Sequence, residues 1–218
     1  MNSVLTRGVV LAAALLGGSS AWAATNLISN GDFSTPNQSG GWTIYSPGTS
    51  GWVSTADYGN AVDGVEIGTS TIYGLPCANN ACQNLEVNAN NFDTITQTVT
   101  GLTAGAWYSL DYLYGGRTSG GPDSMNVYFN GNLVTTDSGS VGSWTSNSFM
   151  VQATGTSAVL AFAAVPSAGL PSYGNEVTNV MLTAVPETST WLMLGAGFGA
   201  LGLAAFRRGR KGAISALA

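Results

Sequence analysis

The chain has 218 residues, room for one domain of about 150 residues with processing segments beside it. Charged residues make up 8% against the roughly 25% usual for soluble domains, yet hydrophobic residues reach 44%, which excludes a disordered polar chain. Eleven acidic residues stand against six basic ones, Arg117 is the single basic residue between Arg7 and Arg207, and there is no histidine, so a nucleic-acid surface and every histidine-based catalytic or metal site are excluded.

Residues 1–23 have the three parts of an export leader: Arg7 in the charged region, an apolar run over 9–16, and a small-residue end at Ala21-Trp22-Ala23. Cleavage after Ala23 by signal peptidase, following passage through the export translocon, would start the mature chain at Ala24. An apolar run of about eight residues is too short to span a bilayer.

From Asn26 the sequence becomes a series of short segments rich in β-branched and aromatic residues, punctuated by Gly, Asn and Pro, the pattern of an antiparallel sandwich. Strands are predicted at 42–45, 62–67, around Ile95, Gln97 and Val99, and at 107–114, where both faces are apolar enough to suit a central strand. Residues 125–129 and 132–136 flank Asn130-Gly131, a two-residue turn whose residues tolerate positive φ, and this predicts a hairpin. Further strands are predicted at 149–153, 158–164 and 177–183, with loops at 115–122 and 166–175 lying at the sheet ends.

Cys77 and Cys82 enclose four residues, and in an oxidising compartment they read as a local disulfide. A zinc site would need two further ligands, and a nucleophilic cysteine would lack its histidine.

After residue 184, Val185-Pro186-Glu187-Thr188 leads into an uncharged apolar run, 191–206, and then into Arg207, Arg208, Arg210 and Lys211, with 212–218 as a short cytoplasmic tail. At about 1.5 Å per residue the run reaches about 24 Å, short of a hydrocarbon core of about 30 Å, so it is a marginal transmembrane helix. The basic cluster acts as the stop-transfer element and places the body across the membrane, in the periplasm. Gly195 and Gly199 form a GxxxG that would suit packing on a partner helix, although glycine is common in such spans.

Taken in this order, the features of 185–211 resemble the PEP-CTERM sorting tail. The resemblance implies that Val185, Pro186, Glu187 and Thr188 are read by an exosortase, which cuts near the motif and passes the protein from a transient inner-membrane anchor to the cell surface or its polysaccharide matrix. The family motif is Pro-Glu-Pro, and here Thr188 holds the third place.

The body, 24–184, carries a second resemblance. Asn26-Leu27-Ile28-Ser29-Asn30-Gly31-Asp32-Phe33 followed by Gly41-Trp42, then Val65-Glu66-Ile67, Ile95-Thr96-Gln97-Thr98-Val99 and the closing Asn179-Val180-Met181-Leu182, look like the galactose-binding-like jelly rolls of carbohydrate-binding modules. The resemblance implies an all-β antiparallel jelly-roll sandwich that binds matrix polysaccharide. Many such modules hold a structural calcium between the opening loop and the last strand. Here Ser34 and Thr178 stand where acidic residues are usual, and Asp32 or Glu176 would have to compensate.

Sugar recognition needs aromatic faces and a few orienting polar groups, and the candidates are Trp52, Tyr58, Tyr73, Tyr114, Arg117, Asp123 and Tyr173. For Arg117 the alternative is an ion pair with Asp111 or Asp123. A structural or adhesive matrix protein without a ligand site fits the same features. A glycoside hydrolase would need two convergent carboxylates, which the spacing of the ten acidic residues of the body does not reveal, so a non-enzyme is expected.

Overall fold

The computed structural model describes residues 25–54, 64–120, 123–166, 171–185 and 194–203. The leader with Arg7, Ala21 and Ala23, the candidate Tyr58, the residues Pro186, Glu187 and Thr188, and the cluster Arg207, Arg208, Arg210 and Lys211 lie outside the described residues.

Eleven strands are described: β1 Trp42–Tyr45, β2 Val53–Ser54, β3 Val65–Thr69, β4 Gln83–Glu86, β5 Thr94–Thr100, β6 Trp107–Gly116, β7 Ser124–Phe129, β8 Asn132–Ser138, β9 Trp144–Gln152, β10 Ser157–Ala164 and β11 Asn175–Ala184. They form a six-stranded sheet, β1-β3-β4-β11-β6-β9, and a five-stranded sheet, β2-β5-β10-β7-β8. Every pairing between these strands is antiparallel. The chain passes repeatedly from one sheet to the other, so each sheet's apolar face closes on the other's, as in jelly-roll sandwiches.

Period-two alternation fixes which side chains form the core. From the larger sheet, Val65, Ile67, Leu85, Leu110, Tyr112 and Val177 point inward, and from the smaller one Ile95, Val99, Met125, Val127, Leu160 and Phe162 meet them. Burying each such side chain stabilises the fold by about 1.5–3 kcal/mol. The hairpin turns at Asn130-Gly131 with φ of 51° and 79°, and Phe129 pairs with Asn132 across it.

Several strands depart from the sequence expectation. Strand β4 reads Gln-Asn-Leu-Glu, a composition that discourages strand assignment, yet all four residues are buried between β3 and β11. Two-residue β2 is too short to leave a periodic signal. Strand β9 starts at Trp144, five residues ahead of the expected 149, because its polar first half lies on the sheet edge. Strand β3 is described from Val65, and residues 62 and 63 lie outside the described residues. Strand β6 is paired on both sides as expected, but its second face is not packed: Trp107 is exposed and Ser109, Asp111 and Leu113 are half-buried.

A β-bulge interrupts β11 between Thr178 and Met181, with Asn179 at φ 53°. The bulge frees Val180 to bond the opening segment: Val180 N donates to Gly31 O at 2.9 Å, and Asn26 Nδ2 donates to Val180 O at 3.3 Å. Further on, Leu27 N donates to Leu182 O and Val185 N to Trp107 O, so the segment that enters the sandwich and the one that leaves it are held at the same end of β11.

Residues 194–203 are helical and exposed. Among the described residues no helix is long and apolar enough to cross a membrane.

Candidate functional site

Cross-strand pairing assembles an acidic row on the outer face of the larger sheet. Glu66 of β3 lies opposite Glu86 of β4, Glu86 opposite Glu176 of β11, and Glu176 opposite Gly115 of β6. The three carboxylates share one face, and all are at most 4% exposed because the chain between β3 and β4 folds over them. Tyr73, in a 3-10 turn at Ser70–Tyr73, donates its hydroxyl to Glu66 Oε1 at 2.8 Å. Its ring lies directly on Gly68, where a Cβ would sit 2.1 Å from the phenol oxygen.

Among the described residues one cation serves this row. Arg117 Nη1 donates to both oxygens of Glu86, at 3.0 and 3.2 Å, and to Ser172 O at 2.7 Å. The guanidinium lies between the rings of Tyr73 and Tyr173, 4.9 and 5.1 Å from their centroids. The expected partners Asp111 and Asp123 are thus replaced by Glu86, a residue on a strand that the sequence hid. One guanidinium cannot neutralise three buried carboxylates, so Glu86 and Glu176 are held above the range of solvated glutamates. Burial pushes Glu86 up to about 9, with the charge of Glu66 adding and Arg117 opposing. Glu176 is held well above the ordinary range by burial first, then by Glu86 and Glu66. Asn84 Nδ2 donates to Glu176 Oε2, while Asn84 Oδ1 and Glu176 Oε1 are buried without a hydrogen-bond partner among the described residues.

Most of the sequence candidates converge beside this row. Tyr114 is fully buried, and its hydroxyl donates to Asn175 Oδ1 at 2.9 Å and lies 3.3 Å from Asp123 O, which ties the strand beneath Arg117 to the loop of Asp123. Its ring is a core element, and so is that of Trp52. Trp52 is 0% exposed, 5.4 Å from Phe33 and 5.9 Å from Phe162 by ring centroids, and donates Nε1 to Asn30 O. Neither Trp52 nor Tyr114 presents a face to solvent, which corrects their reading as a sugar platform. Asp123 is buried as well, whereas Tyr173 is 40% exposed.

A groove that the sequence did not reveal runs between the edge strands β8 and β9. It has a volume of about 380 Å3, within the range of small-ligand sites. Leu133 and Val134 line it from β8, Phe149 and Met150 from β9, and Trp107 from the start of β6, with Asn132, Gln152 and Thr154 as its polar groups. Trp107, Leu133 and Met150 are 48%, 57% and 53% exposed, so a large apolar surface with an indole in it faces water. Gln152 Nε2 is held by Gly105 O at 2.9 Å, and Thr154 Oγ1 accepts from Asn130 of the hairpin turn at 2.6 Å. Sequence alternation had assigned Trp107 to a packed face, and only the edge position of β9 leaves it uncovered.

A third convergence involves the opening segment. Asn79 Nδ2 lies 2.9 Å from Asp32 O, 3.0 Å from Gln83 O and 2.8 Å from Thr178 Oγ1. The loop that carries Asn79 is closed by the Cys77–Cys82 disulfide, as the two-cysteine reading expects. Asn179 Nδ2 holds the loop by Ala78 O at 3.0 Å.

No protein-family model matches the chain, and no curated protein matches it. Among solved structures it is similar to an arabinose-bound α-L-arabinofuranosidase, MgGH51, with a TM-score of 0.52 and 12% identity over 76% of this chain and 27% of that one. It is also similar to the sugar-binding EclA C-terminal domain, with a TM-score of 0.36 and 18% identity over 40% of this chain and 64% of that one. A third similarity is to TmCBM61 in complex with β-1,4-galactotriose, with a TM-score of 0.44 and 12% identity over 74% of this chain and all of that one. The chain spans less than two thirds of the first two. At these identities the likeness concerns the fold alone.

Proposed function

We propose that this is an exported, non-enzymatic surface protein whose sandwich binds a neutral polysaccharide of the producer's own matrix through the groove between β8 and β9. The observation that carries this reading is Trp107, a half-exposed indole in a concave apolar site with Asn132, Gln152 and Thr154 beside it. An indole face packs on the C–H surface of a pyranose, and the amides orient its hydroxyls. Of the ten acidic residues of the body none lines the groove, and with Arg117 engaged on Glu86 no free cation there attracts a polyanion, which favours an uncharged glycan. A shallow site of this size binds weakly, and many copies on one polymer restore retention through avidity.

Delivery follows from the leader and from the tail of 185–211: signal peptidase releases Ala24, the apolar run anchors the chain transiently in the inner membrane, and an exosortase reads Val185, Pro186, Glu187 and Thr188 before release to the surface or matrix.

The test is calorimetric titration and pull-down of the full-length chain with purified matrix polysaccharide and with neutral glucans and galactans. Trp107→Ala should lower affinity at least about tenfold, about 1.4 kcal/mol, without changing the thermal midpoint. Wild-type binding that survives Trp107→Ala refutes the groove, and loss on Tyr173→Ala instead would move the site to the Arg117 end. A wild type that binds none of these glycans leaves a structural or adhesive matrix protein as the better account.

A further inference from the structure

The resemblance of the body to calcium-holding modules makes a sharp demand on one place in the fold, between the opening segment and β11. A hard cation there needs six to eight oxygens, carboxylates among them. The oxygens do converge, from three segments far apart in sequence, but the atom at their centre is the Asn79 side-chain nitrogen, within 3.0 Å of Asp32 O, Gln83 O and Thr178 Oγ1. Thr178 resolves the count of hydrogens, because its hydroxyl accepts from Asn79 and donates to Gln83 O at 3.0 Å. The amide orientation is fixed from its other side, where Gln83 N donates to Asn79 Oδ1 at 3.3 Å. The carboxylates expected to compensate are engaged elsewhere: Asp32 Oδ1 accepts from Ser34 N and Oγ, and Glu176 is bonded to Asn84 in the acidic row. Among the described residues no group of three or more His, Cys, Asp or Glu side chains is placed to hold a metal. The residues therefore do not fit a calcium ion.

We propose that Asn79, presented by the disulfide-closed loop 77–82, ties the opening segment, β4 and β11 together at the point where a cation would otherwise sit, and makes the sandwich independent of calcium. Gln83 completes the arrangement by donating Nε2 to Phe33 O at 2.6 Å and to Pro36 O at 3.0 Å. Two neutral amides thus hold the opening loop by its carbonyls, where an ion would draw the same carbonyls inward. The disulfide is part of the device, because it limits the freedom of the six-residue loop that delivers Asn79.

Thermal unfolding of the full-length chain, in calcium and in chelator, tests this. The wild-type midpoint should be the same in both, and Asn79→Ala should lower it by about 5 °C, as the loss of several partly buried hydrogen bonds implies for a domain of this size. Reduction of Cys77–Cys82 should lower the wild type and add little to Asn79→Ala, since both remove the same tie. Hydrogen exchange provides a readout without any variant: the peptide covering 26–36 should exchange about tenfold faster once the wild type is reduced. A wild-type midpoint that rises with calcium overturns the proposal. So does an Asn79→Ala variant with an unchanged midpoint, or an opening segment indifferent to reduction.

Discussion

Glu176 shows how a single side chain links burial to pH. Its carboxyl has no contact with solvent, and its neighbours in the row are two more carboxylates, so the neutral form is the one the fold accommodates. The folded value lies above the unfolded one, which fixes the sign: stability is full below the unfolded value near 4.3 and is lost as pH rises through the folded value. Glu86 behaves alike, and its value of about 9 sets the upper end of the window. The thermal midpoint of the wild type should therefore fall between about pH 5 and pH 9. Glu176→Gln keeps the shape and cannot ionise, so at pH 8 it should be more stable than wild type by about 1–2 kcal/mol, with a flatter profile. Parallel pH profiles for the two proteins would show that Glu176 is not the source of the dependence.

Among the elements, the β7–β8 hairpin is the one whose local chemistry and tertiary role agree most closely. Both turn residues have positive φ, and Asn130 is also bonded to Thr154, so the turn sets the register of the strand that forms one wall of the groove. Gly131→Val should destabilise the domain by more than about 1 kcal/mol, measured by denaturant unfolding, because a β-branched residue resists that backbone region. An unchanged midpoint would mean that the turn can switch type without loss. This hairpin and β5 were legible in the sequence because each has one apolar and one polar face, and β10 and β11 because each holds a short apolar run bounded by turn residues. Strand β4 was not, because its outward residues Asn84 and Glu86 are buried by the 70–82 segment, an event that local alternation cannot encode. The same burial explains why Tyr73, Arg117 and Tyr173 could be named as candidates while their common partner, Glu86, could not. The groove was hidden for the opposite reason: Trp107 read as a residue of a packed face, and only the order of strands in the sheets shows that among the described residues nothing covers it.

At the scale of the whole molecule, the proposed export and sorting route makes two demands that do not depend on the groove. The mature secreted chain should begin at Ala24 and carry one intramolecular disulfide, which intact mass with and without reductant will report. A retained leader, or two free thiols, would contradict this. Sorting makes a separate demand: with Glu187→Ala the protein should stay in the inner membrane and lose its processed form. Identical processing of wild type and variant, in strains with and without an exosortase, would reduce the tail to a plain anchor.

The hydrogen bond from Val185 N to the backbone carbonyl of Trp107 joins the point where the tail leaves to the residue whose indole lines the groove. If a polymer strand is held on that indole while the tail is still anchored, tension between them runs through a single backbone contact at one corner of the sandwich. The two sheets would not be sheared against each other. Such a domain needs little mechanical strength in its core to withstand drag on the matrix, and its weakest point under load would be the last residues of β11, which peel one bond at a time from β6.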